Sequence, residues 1–185
     1  GPLSRGRQRR AGCFGYREDY GEDQATHTAE CTNRLGASEI EAQEEAMDVV
    51  LLIGRILFAS IFIVSGSTVH LLKWRDGVAY ARAKNVPAPE LLVPASGLMA
   101  VAGGLLLAIG LWADLGALLL AAFVFPVAVG MHAFWKADDP MERIQEQVHF
   151  MKDVALGGGA LALFALFQQF GNEIGLTAGP TALFD

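Results

Sequence analysis

Residues 131–153 read MHAFWKADDPMERIQEQVHFMKD, a long polar interval between hydrophobic segments that carries two histidines, a tryptophan and a Lys-Asp pair. Apolar runs flank it at residues 115–131 and 154–170. Each is close to the ~20 residues that cross a hydrocarbon core of ~30 Å at ~1.5 Å per residue. The stretch therefore predicts a loop between two membrane helices, and it is the place to look for chemistry.

The 185-residue chain is 52% hydrophobic and 18% charged, with a sharp division near Asp48 between polar and almost unbroken apolar sequence. Four apolar segments follow, at residues 49–72, 91–112, 115–135 and 150–170. A soluble bundle of this size needs charged outer helix faces, and after Asp48 there are too few charges to supply them. The prediction is an all-α, four-transmembrane-helix bundle, with the lipid bilayer as its first partner. It comprises a polar extension at residues 1–46, disordered or short-helical, a membrane domain at 47–172 and a short tail at 173–185. The net charge of −6 comes mainly from acids before Asp48 and in the 131–153 interval, which argues against nucleic acid as a partner.

The extension opens on Arg5, Arg7, Arg9 and Arg10 and holds both cysteines, Cys13 and Cys31. Its composition predicts a mostly disordered segment with two unpaired thiols. Met47 stands directly before the first apolar segment, so part of the extension is expected to be vector-derived or an over-long translated start. Ser38 and Glu41 fit the S-x-x-E capping box, which predicts a short acidic helix from about Glu39.

Within the first apolar segment Arg55 lies two turns deep, where it can snorkel to the nearer surface. The interval at 73–90 carries Lys73, Arg75, Arg82 and Lys84 against Asp76 and Glu90. The positive-inside rule places this loop, and with it the loop at 136–149, on the cytoplasmic side of the membrane. Ser96, Ala100, Gly104 and Ala108 form a stripe of small residues on the second helix, repeated by Gly158 and Ala162 on the fourth. The repeat predicts that helices two and four are neighbours, or that the stripe serves a homo-oligomer. Pro126 predicts a bend in helix three before His132.

This topology gathers His70, Glu90, His132, His149, Lys152 and Asp153 at the cytoplasmic interface. Arg55 and Asp114 stand at the opposite one, where they can pair if helix one packs against the 112–114 turn. An imidazole beside a carboxylate can exchange protons near neutrality, which is what a quinone head group at the membrane surface requires. His132, His149, Lys152 and Asp153 are thus the candidate catalytic pocket, with Arg55, His70 and Trp135 as candidate cofactor-binding residues. His132 and His149 lack ligand-type spacing and no thiolate accompanies them, so no metal site is expected.

Pro126, His132 with Phe134 and Trp135, Asp138-Asp139-Pro140, and the run from His149 to Asp153 followed by Gly157–Gly159 resemble the DoxX family of small four-helix membrane proteins. The resemblance spans about residues 49–170 and includes Arg55, Gly66, and Gly103-Gly104 followed by Gly110-Leu111. Many members carry a glutamate shortly before the paired glycines, where this chain has Ala100, and an asparagine after the lysine, where it has Asp153. Family members are associated with thiosulfate:quinone oxidoreductase, quinol oxidase, and thiol and oxidative-stress systems. The resemblance therefore implies a membrane oxidoreductase subunit working with other membrane or soluble redox subunits and, through them, with a quinone.

Two rival functions are open at this point. One is a non-enzymatic scaffold docking partners through the small-residue stripe. The other is a small-solute transporter, for which the helices offer few mid-membrane polar residues beyond Ser60, Ser65, Ser67 and Thr68.

Overall fold

The structure is a computed structural model that describes residues 23–183, with side chains from residue 36 onward except residue 172. Arg5, Arg7, Arg9, Arg10, Cys13 and the side chain of Cys31 lie outside the described residues, as does any reading of the chain before residue 23. The chain divides into two units, Gly1–Asp48 and Val49–Asp185.

The described secondary structure is helical throughout. Helix α1 spans Asp23–Ser65 and passes directly into a π-helical turn, Gly66–Leu72. Helix α2 is Trp74–Ala83, α3 is Pro89–Ile109, α4 is Ala113–Met131 and α5 is Pro140–Phe170, with 3₁₀ turns at Phe134–Lys136 and Gly171–Glu173. Four helical spans are long and apolar enough to cross a membrane: Gly36–Leu72, Pro89–Ile109, Ala113–Lys136 and Pro140–Phe170. Large apolar side chains such as Leu57, Leu98, Leu105 and Val129 point outward. That is the pattern of a lipid-facing surface, since nothing but a bilayer makes such exposure cheap.

Three local expectations are corrected. The capping box at Ser38 starts no helix, because α1 is already helical from Asp23 and both Ser38 and Glu41 lie inside it. The 73–90 loop contains α2, whose Val78 and Ala81 are buried while Asp76 and Arg82 suit its two ends. The 131–153 loop shrinks to residues 132–139. Asp139 caps α5 by accepting a hydrogen bond from the Glu142 N–H (2.8 Å), and Pro140 takes the first helical position.

The membrane helices close on small residues. Helix α4 packs against both α3 and α5, while α3 and α5 share no comparable interface. Helices two and four are therefore not the neighbours their small-residue stripes suggested. Gly158 faces open space, whereas a methyl group on Gly104 would fall 2.8 Å from Ile63 Cγ1 of α1. A methyl on Gly159 would meet Phe58 of α1 at 3.0 Å, which closes the ring of four. The core they enclose is built on Phe62, Ala100, Leu107, Leu120, Ala160 and Phe167. Pro126 lies inside α4, which is continuous from Ala113 to Met131.

Candidate functional site

The π turn, α2, the start of α3, the end of α4 and the start of α5 meet at one end of the bundle. Along α5 the buried residues include Glu146, Asp153, Ala160 and Phe167, spaced by seven and hence on one face. The first two bring carboxylates to that end and the last two continue as core. His132, which ends α4, sits between the two acids. Its Nδ1 lies 2.8 Å from Glu146 Oε2 and its Nε2 lies 3.7 Å from Asp153 Oδ2. The first distance is a hydrogen bond, in which Nδ1–H donates to the carboxylate, which leaves Nε2 for a further partner.

The row extends in both directions. Lys84 Nζ donates to Glu146 Oε1 (2.6 Å) and approaches Glu142 at 3.4 Å, and the Tyr80 hydroxyl donates to Glu146 Oε1 at 3.4 Å. On the far side Lys152 Nζ lies 3.2 Å from Asp153 Oδ1, and the exposed His149 ring stacks on His132 with centroids 5.1 Å apart. Basic and acidic groups thus alternate from Lys84 through Glu146, His132 and Asp153 to Lys152. The hydrogen bond to Glu146 holds the Lys84 ammonium above the ordinary lysine range. Burial, reinforced by the Glu146 charge, pushes the Tyr80 phenol above its ordinary value.

This row borders a cavity of ≈ 710 Å³ whose wall is mainly apolar, formed by Val69, Leu92, Met99, Phe123, Val127 and Met131 among others. Tyr80, Lys84, His132 and Lys136 reach it, and so does His70. The Ser96 hydroxyl donates to the Val93 carbonyl (2.8 Å), so His70 Nδ1–H donates to Ser96 Oγ (3.0 Å) and Nε2 is left as an acceptor. Backbone crowding helps to set this ring: a methyl group on Gly97 would fall 2.5 Å from His70 Cβ. A π turn is a frequent companion of such a site, because the extra residue per turn re-aims side chains.

All four pocket residues expected from the sequence, His132, His149, Lys152 and Asp153, come together, and His70 shares the cavity. Trp135 packs on Phe134 and Phe150 in an aromatic cluster that is not part of the cavity lining. Arg55 lies at the other end of the bundle, fully buried, donating to the Leu176 carbonyl (2.7 Å) with its guanidinium 5.9 Å from the Phe167 ring centroid. Sequence reading missed Glu146, Tyr80 and Lys84, all assigned to loops. Asp139-Pro140 as cap and first residue, with the seven-residue spacing of Glu146, Asp153 and Ala160, is the signal that finds the acid. Among the described residues no group of three His, Cys, Asp or Glu side chains is placed to hold a metal ion.

Four apolar spans around an alanine- and glycine-lined core, with titratable side chains gathered at one end, define a multi-pass integral membrane protein. Residues 50–133 match the family model described as DoxX, and over this stretch the protein is DoxX-like. The match runs from α1 to just past His132 and stops before α5, so Glu146, His149, Lys152 and Asp153 fall outside it. No curated protein and no solved structure matches the chain.

Proposed function

We propose that this DoxX-like protein is a redox-supporting subunit of a bacterial inner membrane that binds the head group of a quinone in the cavity. The observation that carries the proposal is a cavity wall on which an apolar slot meets His132, a histidine hydrogen-bonded to buried Glu146 with buried Asp153 3.7 Å away. Such slots suit a molecule with an apolar body and few polar atoms. Reducing a quinone to a quinol takes two electrons and two protons. A partner redox subunit, oxidising a thiol or a sulfur compound, supplies the electrons.

The chain's own residues handle the protons. His132, as an imidazolium stabilised by Glu146 and Asp153, passes its Nε2 proton to one quinone oxygen and regains one from water, while the other oxygen takes its proton from water beside the exposed Lys136. His149 and Lys152, both exposed, link this row to water. His70 serves as a second polar anchor within the cavity, while Arg55 and Trp135 take no part in binding. By the positive-inside rule the cavity end faces the cytoplasm. The small-residue stripe on which a scaffold reading would rest is filled by α1 of the same chain.

The test is quinone content and optical spectrum of protein purified in mild detergent, with co-purifying proteins identified in the same sample. Near-stoichiometric quinone that is lost in a folded His132→Ala variant is the expected result. Quinone-free wild-type protein, or a variant that retains its quinone, overturns the proposal.

A further inference from the structure

We infer that the cavity selects amphipathic molecules whose head carries a negative charge, with Lys84 and Lys136 as the residues that set this preference. The inference deepens the quinone reading and rests on the cavity being the ligand site. Among the lining residues the ionisable side chains are His70, Tyr80, Lys84, His132 and Lys136, and none of the lining residues is a carboxylate.

The acids stand one layer back. Glu146 holds Lys84 and His132 at 2.6 and 2.8 Å, Glu142 lies 3.4 Å from Lys84, and Asp153 lies 3.7 Å from His132. The site is therefore polarised, with bases facing the ligand and the acids behind fixing their positions. Lys84 has three N–H donors, two of them directed at Glu146 and Glu142, which leaves one for a ligand. Lys136, exposed at the end of the 3₁₀ turn, is the second lysine that lines the cavity.

A neutral carbonyl accepts hydrogen bonds from these groups, but an ionised oxygen accepts bonds about twice as strong, in surroundings of reduced dielectric. The apolar wall meanwhile gives small hydrated anions nothing to replace their water with. The class that satisfies both halves is a delocalised oxyanion on an apolar body. Ionised hydroxyquinones, quinol anions and long-chain carboxylates share that chemistry.

The experiment compares binding of an alkyl hydroxynaphthoquinone, ionised at neutral pH, with its uncharged methyl ether, on the full chain in mild detergent. The acid is expected to bind about tenfold tighter, as one charge-assisted hydrogen bond provides. Lys136→Met and Lys84→Met should each lower the acid-to-ether ratio severalfold, and Lys84→Arg should keep it. Lys136 is exposed, so its variant carries the test if loss of Lys84 prevents folding. Equal affinities for acid and ether in the wild-type protein overturn the charge preference and leave the quinone reading standing. A tenfold ratio unmoved by both methionine variants overturns the assignment to these lysines. Dodecanoate and dodecanol form the second arm. If neither naphthoquinone binds but dodecanoate binds tighter than dodecanol, the charge preference stands and the quinone reading falls. If none of the four probes binds, both fall.

Discussion

The two ends of the membrane bundle bury the same kinds of side chain and treat them oppositely. At the α3–α4 end, Asp114 is fully buried and accepts hydrogen bonds from the Leu115 N–H (2.7 Å), the Leu183 N–H (2.8 Å) and the Gln168 amide (2.8 Å). Arg55 is likewise buried and bound to the Leu176 carbonyl. The residues after α5 knit this end shut, with the Trp112 N–H donating to the Pro180 carbonyl and the Ala178 N–H to the Ile109 carbonyl. Three of these four hydrogen bonds of Asp114 and Arg55 are made with backbone groups, which do not titrate. At the other end Glu146 and Asp153 are partnered by lysines, a tyrosine and a histidine beside a cavity. A buried charge satisfied by backbone holds a fold together. One satisfied by other ionisable groups next to open space is placed to exchange protons.

The contrast can be broken most forcefully at Asp114. Asp114→Ala strands three donors inside the protein and should cost about 3 kcal/mol or more of stability, read by thermal unfolding in detergent. Ligand binding per folded molecule should be unchanged. A smaller test of the closed packing is Gly104→Leu, which forces a side chain against Ile63 and should cost roughly 1–3 kcal/mol. Gly158→Ala, where nothing lies within 4 Å, should instead gain about 0.5–1 kcal/mol from helix propensity. Equal shifts in the two variants would show that the stripe is not packed as described.

At the open end the pattern reverses. Glu146→Gln keeps the shape but removes the charge that holds Lys84 and His132, so quinone affinity should fall about tenfold while stability changes by only about 1 kcal/mol. A large loss of stability without loss of binding would make Glu146 structural, like Asp114. The smallest expected effect is alkaline. Lys84 has its pKa raised in the folded protein, so its contribution to stability is complete below the ordinary lysine value of about 10.4 and is lost as pH rises through the folded value. The Tyr80 phenol, also raised, adds a loss of the same sign once pH passes about 10. Unfolding followed across that alkaline range should show a steeper decline in the wild-type protein than in Lys84→Met. Parallel declines would detach Lys84 from the stability of this end.

The membrane architecture was legible because apolar length is a strong signal: each expected span overlaps one of the four observed, and His132, His149, Lys152 and Asp153 do converge. Boundaries were legible only where the polar sequence was read for helical spacing. Treating residues 131–153 as loop hid Glu146, although its seven-residue step to Asp153 was in plain view. Lys84 and Tyr80 were hidden for the same reason, since a charge-rich stretch between two spans reads as loop until Val78 and Ala81 are taken as one buried face. The stripe at Ala100 and Gly104 predicted close approach correctly and its partner wrongly. Small residues state that a neighbour comes near, not which one.

The bond from Arg55 to Leu176 joins residues 121 positions apart in the chain. During synthesis at about 5–20 residues per second, the arginine enters the bilayer roughly 6–24 s before its acceptor exists. For that interval the Leu176 carbonyl cannot satisfy it, whereas snorkelling or water can. Synthesis of the last membrane span and of the segment up to Leu176 is therefore the event that supplies the first span's arginine with this acceptor.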